Sequence, residues 1–399
     1  MSRGSVRRRS GSSFELKFDD GTYANGKRRI RYINFKCTTK QEAQKELTRL
    51  LAERDRGTLP DANKTTVKEW LHSWLGDDPD PGTAKPVLPV GLTSLKTAER
   101  YRQLAKDQVN PHLGNVVLQK LRPPQVEEWH AALLARGGKT GKPLCARTVG
   151  HAHRVLHRAL ERGVKLEVLS RNVASNVSPP AVEDEEVEIL QEGEPAMVLQ
   201  ALVDAEHVLH PMVDLDLATG MRRGELLALA WNILDLDECK VKVKRSLEET
   251  KYGLRFKAPK TKTGWRTLTF PASTGAVLRE HRKKQLELRV KLGLGKPGPD
   301  ALVFSNPDGT PIKPSWLSYT WRNTQESMKL PDVTFHAFRH THASALIAAG
   351  LDVVTVSKRI GHKNPTTTLR IYSHLFDKRA SDAGAAAAIE AAMRTQVQR

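Results

Sequence analysis

Residues 334–345 read TFHAFRHTHASA and place three histidines and an arginine within seven positions: His336, Arg339, His340 and His342. On a helix that begins near His336, residues 336, 339 and 340 share one face, so His336 and Arg339 could grip one ligand while Phe338, Ala345 and Leu346 pack inward. Three chemistries suit such a cluster: a metal site, a buried polar knot, or a clamp for an anion. His336 and His340 have the i, i+4 spacing of a zinc pair. Between them, however, stand Ala, Phe and Arg, with no glutamate to act as base, and a guanidinium one turn away repels a cation. The knot and the anion clamp both stay open on these residues alone.

Two further segments carry residues of the same kind. ATGMRRGELLALAW, residues 218–231, interrupts an apolar helix at Gly220 and sets Arg222 and Arg223 at the start of a new one, with Leu226, Leu227, Leu229 and Ala230 as its apolar positions. A helix start favours an anion, and Glu225, on the same face as Arg222, is placed to fix its guanidinium. KAPKTKTGWRTLTF, residues 257–270, reads as a hairpin whose turn carries Lys260 and Lys262. RIGHKNPTTTLRIYSHL then adds His362 and Tyr372. A phenol with a pKa near ~10 needs a base or strong cationic stabilisation to attack at neutral pH, and two arginines, a lysine and two histidines supply both. His340 and His374 read as structural or peripheral.

The whole chain favours a polyanionic partner. Its 399 residues hold 64 Lys plus Arg against 45 Asp plus Glu, a formal charge of +19, so nucleic acid is the first candidate. No apolar run approaches the ~18 residues of a membrane span, and no signal-peptide core follows the basic start; the expectation is a soluble, cytoplasmic protein. Cys37, Cys145 and Cys239 are far apart without CxxC spacing, which indicates neither a disulfide framework nor a thiolate zinc site. They are expected to be reduced and partly buried.

Several elements must position these groups. The first forty residues carry eleven Lys or Arg against three acids. There SFELKF and RRIRYINF read as strands around a turn, and TTKQEAQKELTRLLAERDRG as a helix capped by Thr39, with Ala43, Leu47, Leu50 and Leu51 on one face. TTVKEWLHSWL has a Thr66–Glu69 capping-box pattern and an apolar stripe of Val67, Trp70, Leu71 and Trp74. The segments that follow are helical, and in the last of them Arg147, His151, Arg154 and Arg158 form a basic stripe opposite Val149, Val155 and Leu156. SPPAVEDEEVEILQEGEP, residues 178–195, has the composition of a linker. Beyond it come helices in AMVLQALVDA, PMVDLDLA and GELLALAW, short strands in KVKVKRS, LRFKAPK and RTLTFP, and helices again.

The pieces TGMRRGE, PKTKTG, HAFRHTHAS and GHKNPTTTLRIYSH, in that order, resemble the tyrosine recombinase family, in particular the integrases of temperate phages and integrative elements. The motif match covers roughly the last 220 residues; over the N-terminal part the resemblance is one of architecture. Phe338 and Ala337 stand where a leucine and a polar residue are commoner, and Ile360 replaces the usual leucine before GH. Neither change removes a reactive group. The resemblance implies a multidomain, mainly α fold. Residues 1–60 would form an arm-type DNA-binding domain of a small sheet plus helix and 61–178 an all-helical core-site-binding domain. After a linker at 179–195, residues 196–399 would form a mixed α/β catalytic domain with a C-terminal helix.

By the same resemblance Tyr372 is the nucleophile that forms a 3′-phosphotyrosyl link. Arg222 and Arg339 clamp the non-bridging oxygens, His336 is acid/base, and His362 is a hydrogen-bond partner of the phosphate. Lys262, with Lys260 as the alternative, protonates the departing 5′ oxygen. Candidate DNA contacts are Arg7, Arg8, Arg9, Arg28, Arg29, Arg147, Arg154 and Arg158. No metal, cofactor or ATP is expected, in keeping with the lack of a GxxxxGK[ST] loop. The expected activity is integration and excision of a mobile genome at attachment sites. Expected partners are double-stranded core- and arm-site DNA, three more copies of the chain in a tetramer on DNA, a directionality factor and a host DNA-bending protein, in the nucleoid of a bacterial host. A non-catalytic DNA-binding regulator and a type IB topoisomerase-like enzyme are the alternatives.

Overall fold

The computed structural model describes residues 4–22, 26–56, 63–77, 87–183, 187–258, 264–377, 389–390 and 393. The chain divides into two compact units, Met1–Glu183 and Asp184–Arg399. Lys260 and Lys262, and all but a few residues of the C-terminal segment 380–399, lie outside the described residues.

The first unit opens with an antiparallel sheet, β1 (Gly4–Ser10), β2 (Ser13–Thr22) and β3 (Arg28–Lys36), in that order. Alternation on β2 sends Phe14, Leu16 and Phe18 into a core closed by Ala43, Leu47 and Leu50 of α1 (Lys40–Asp55). Thr39 caps that helix, its hydroxyl accepting from the Glu42 N–H at 3.2 Å. The opposite sheet face is open, with Lys17 paired across from Tyr32, which is 57% exposed. The rest of the unit is helical: α2 (Val67–Leu75), α3 (Leu95–Leu104), α4 (Asn110–Leu113), α5 (Pro123–Arg136) and α6 (Ala146–Lys165), with a π-helical turn at Ala105–Val109 between α3 and α4. Both halves of the Thr66–Glu69 capping box are present. The Trp70 indole donates to the Ala159 carbonyl at 2.8 Å and ties α2 to α6. On α6, Val149, Val155 and Leu156 are buried while Arg147, Arg154 and Arg158 are exposed.

The second unit contains α7 (Glu194–Asp204), α8 (His210–Thr219), a one-turn α9 (Arg223–Leu226), α10 (Ala272–Lys291), α11 (Pro314–Met328), α12 (Ala337–Ala348), α13 (Val353–Ile360) and α14 (Pro365–Asp377). Its strands are β4 (Leu234–Asp235), β5 (Lys240–Val243), β6 (Ser246–Thr250), β7 (Gly253–Lys257) and β8 (Arg266–Thr269). They form a β4-β5-β8 sheet and a separate β6-β7 hairpin. The main core gathers Met212, Leu226, Val241, Leu268, Phe304, Trp321 and Phe338. A smaller one joins α12, α13 and α14 through Ala343, Ile347, Val356, Ile360 and Tyr372. The mainly helical fold with small antiparallel sheets is the one expected from the sequence. No helix among the described residues is long and apolar enough to cross a membrane.

Four local expectations need correction. The helix read through Trp231 ends at Leu226, although its leucines are buried as expected. The Ala228 carbonyl accepts from Arg245 and the Leu229 carbonyl from the Val303 N–H, so neither is available to continue a helical ladder. Residues 257–270 are not one hairpin: β7 pairs with β6, Ser246 opposite Lys257, whereas β8 pairs with β5, Val243 opposite Arg266. On α12, Ala345 is exposed. The start of that helix packs Phe338 against Trp321 and Phe335, but its later turns pack Ala343 and Ile347 against α13 and α14, so the inward stripe changes partners along its length. Cys145 is exposed rather than partly buried.

Candidate active site

The site is built on two left-handed glycines. Gly220 ends α8 at φ +60°, and a Cβ there would lie 2.6 Å from the His342 ring, so both backbone and packing exclude a side chain. Its carbonyl accepts from Arg339 Nη1 at 2.6 Å. Gly361 ends α13 at φ +71°. That turn leaves two consecutive carbonyls facing the cluster: Ile360 accepts from Arg339 Nη2 at 2.5 Å, and Gly361 from Arg222 Nη2 at 2.6 Å.

Arg222 immediately precedes α9. Its backbone N–H donates to Glu225 Oε2 at 3.0 Å and its Nη1 to Oε1 at 2.9 Å. The sequence had offered Glu225 as the group that fixes Arg222, and in the fold it is shared. Arg266 of β8 donates to the same carboxylate at 2.8 and 3.2 Å and also to the Arg359 carbonyl at 2.8 Å. Burial alone would raise the Glu225 pKa, but the hydrogen bond and charge of Arg266, with those of Arg222, hold it below the usual value. Arg266 was not singled out in the sequence. Its one local signal is strand alternation, which puts it on the inward face with Leu268.

On α12, Arg339 is 2% exposed, and burial followed by the Arg222 charge pushes its guanidinium down to about 10. His336 stands at the helix N-terminus with its ring 4.9 Å from that of His340. Packing around the ring, then His340, Arg339 and Arg222, push it to about 4. His362 contacts the Thr368 hydroxyl through Nδ1 at 2.9 Å; burial and the same two arginines push it to about 4. Both imidazoles are therefore neutral at pH 7, and they face the positive charge of Arg339 and Arg222. His342 is a packing residue. Arg359 Nε–H donates to its Nε2 at 3.1 Å, which fixes Nδ1–H as the donor to the Leu217 carbonyl.

Tyr372 lies in α14, fully buried, at a kink where φ is −122° and ψ 15°. Burial pushes its phenol up to about 12, while Arg339 pulls it the other way. Its hydroxyl sits 2.7 Å from Nδ1 of His340. His340, read from the sequence as structural or peripheral, thus touches Tyr372 directly: one turn of α12 faces the clamp with Arg339 and the phenol with His340.

Of the candidate DNA contacts, Arg7 and Arg154 are exposed. Arg8 donates to the Gly11 carbonyl, Arg9 pairs with Glu15, Arg28 with Asp19 and Arg29 with Asp20. Arg147 is exposed. Arg158 is turned toward its own unit, donating to the Tyr101 hydroxyl at 3.1 Å and the Gly91 carbonyl at 3.0 Å.

Residues 185–379 match the phage integrase family. The chain is similar to a "Tyrosine recombinase XerC-like" protein of Caldanaerobacter subterraneus subsp. tengcongensis, 27% identical over 358 residues, covering 86% of this chain and 88% of that one. It is 24% identical over 286 residues to the ICEBs1 integrase of Bacillus subtilis, covering 71% and 76%. In fold it is similar to the Tn1549 transposon integrase solved with transposon right end DNA, at a TM-score of 0.63 with 19% identity, covering 82% of this chain and 99% of that one. It is also similar to the lambda integrase dimer bound to a COC' core site, at a TM-score of 0.55 with 15% identity and 96% coverage of each chain. Motif order, fold and family match agree: residues 185–379 form a phage integrase family domain, and the protein is a tyrosine recombinase, an enzyme that breaks and rejoins DNA at specific sites.

Proposed function

We propose that this protein integrates and excises a mobile genome at attachment sites, with Tyr372 as nucleophile and Arg222 and Arg339 as the phosphate clamp. The observation that carries the assignment is the convergence of both arginines on the Ile360–Gly361 turn, with Arg339 close enough to Tyr372 to pull its phenol down. The Tyr372 oxygen attacks the scissile phosphorus, the bond to the 5′ oxygen breaks, and the 3′ end stays on the enzyme. A phenol at about 12 costs about 7 kcal/mol to ionise at pH 7. A proton acceptor is therefore required as the phenol attacks, while the two arginines act on the phosphate. Their forked donors fit the non-bridging oxygens. His336 serves as acid/base and His362 donates to the phosphate. Phosphate charge opposes the arginines that depress these imidazoles and raises their pKa toward the working range. Lys262, or Lys260, protonates the 5′ oxygen.

Arm-site binding by residues 1–60, core-site binding by 61–178 and catalysis by 196–399, with a linker at 179–195, complete the proposal. The chain works as a tetramer on double-stranded DNA with a directionality factor and a host DNA-bending protein, in the bacterial nucleoid. A lambda integrase tetramer bound to a Holliday junction is among the related folds and supports the tetramer. The test uses nicked duplexes from the DNA flanking the gene, mixed with wild-type and Tyr372→Phe protein and run on a denaturing gel. A covalent protein–DNA band with the wild type alone is the expected result. Equal recombination by Tyr372→Phe would sink the assignment in favour of a non-catalytic regulator, and supercoil relaxation without site preference would favour a topoisomerase.

A further inference from the structure

We propose that His340 is a positioning residue for the nucleophile, holding the Tyr372 hydroxyl through Nδ1 and locking its aim to the same helical turn that carries Arg339. The inference rests on the assignment of Tyr372 as nucleophile. Tyr372 needs such a partner for two reasons. Its ring lies among Ala343, Ile347, Val356 and Ile360, aliphatic side chains whose dispersion contacts fill space but do not direct a hydroxyl. Its backbone departs from helical geometry at the kink, so the regular helix does not set the direction of the side chain either. Among the described residues the contact to His340, at 2.7 Å with ring centroids 5.8 Å apart, is the hydrogen bond of that hydroxyl.

His340 is well held for the task. Its neighbour Arg339 is pinned at both Nη atoms to the carbonyls of Gly220 and Ile360, at the ends of α8 and α13. The His336 ring stands perpendicular to its own at 4.9 Å. Burial and the Arg339 charge keep the imidazole neutral at pH 7, so the contact is one between two neutral groups. His362, a further imidazole of the cluster, spends its Nδ1 on Thr368. A rotation of α12 that moved the clamp would therefore move the phenol with it, and attack geometry would be preserved or lost as a unit.

Two variants separate the hydrogen bond from the bulk of the ring. In His340→Asn the amide reaches the position of Nδ1; in His340→Leu the volume is kept and the bond is lost. The first readout needs no DNA: a double-mutant cycle of His340→Leu and Tyr372→Phe in the full chain, followed by urea unfolding. Non-additivity of about 2- to 10-fold in the unfolding constant is expected for a neutral hydrogen bond, and additivity would overturn the contact. The second is single-turnover covalent-adduct formation on the nicked flanking duplexes, with DNA affinity measured alongside. His340→Leu is expected to slow adduct formation about 100-fold at unchanged affinity, the effect of a misplacement of about 1 Å, and His340→Asn to recover most of the rate. Wild-type rates with His340→Leu would overturn the proposal. So would equal loss in both variants, which would mean that imidazole proton transfer matters rather than position. Should the wild type form no adduct on any duplex, the recombinase assignment falls, while the unfolding cycle still decides the contact.

Discussion

Arg222 precedes α9 and Arg339 lies on α12, yet their Nη2 atoms end on the carbonyls of adjacent residues, Gly361 and Ile360. The spacing of the clamp is thus set by one peptide unit at the end of α13. Gly361→Ala is expected to disturb it twice, because the residue is left-handed and its new Cβ would lie 2.9 Å from Arg266 Nη1. The expected cost is about 1 to 2 kcal/mol of stability, with adduct formation falling further than DNA binding. Thermal unfolding and adduct yield check this together; an alanine variant as active as the wild type would refute it.

Glu225 is 5% exposed and holds two arginines. Glu225→Gln leaves Arg266, itself 7% exposed, without its counter-charge. Breaking a buried pair from one side costs about 3 to 5 kcal/mol. The melting temperature of the second unit should drop accordingly. A double variant that also carries Arg266→Met should recover part of the stability but not the activity, since Arg222 stays unsupported.

Acid should destabilise the helical part of the first unit through a buried histidine pair. His130 Nε2 and His153 Nδ1 lie 3.1 Å apart. Burial, then the neighbouring histidines, push His153 to about 4, and burial lowers His130 against the pull of Glu127. Unfolded histidine titrates near ~6.5. Between that value and about 4 the unfolded chain binds more protons, so stability is full above pH 6.5 and falls as the pH drops through the window. His153 alone accounts for on the order of 3 kcal/mol by the lower end. Melts of wild type and His153→Asn from pH 7 to 4.5 should diverge; parallel curves would contradict the mechanism.

Exposed and engaged arginines of α6 should behave differently on DNA. Arg154→Ala should lower the slope of log affinity against log salt by about 0.9 if the residue meets a phosphate. Arg158→Ala should instead destabilise the unit by about 1 to 2 kcal/mol, as two hydrogen bonds to Tyr101 and Gly91 are lost. Salt titrations and urea unfolding of both variants distinguish the two roles.

Much of the site was legible because its groups are unusual where they stand: a lone glycine before two arginines, three histidines within seven positions, a tyrosine in a basic amphipathic segment. The residues that were missed are ordinary in their local setting. Arg266 looks like any solvated strand residue until β8 pairs with β5 rather than β7, a long-range choice that no turn signal encodes. His340 was set aside because its neighbours in sequence explain nothing about it; its partner is 32 residues away. The leucine run after Gly224 suggested a full helix because burial and helicity share a pattern, and only carbonyls captured from outside reveal the early stop.

Arg339 has a last consequence. Its guanidinium is buried, and its two Nη atoms donate to uncharged carbonyls, while the nearby Asp216 carboxyl is itself pushed well above its usual range by burial. A cation kept in so dry a place with neutral acceptors is a standing liability to the fold, relieved when an anion arrives. Stability and function therefore pull in opposite directions at this position. In the free protein Arg339→Met should raise the melting temperature while abolishing strand cleavage, and a screen that selected for heat resistance alone would be drawn toward losing the catalyst.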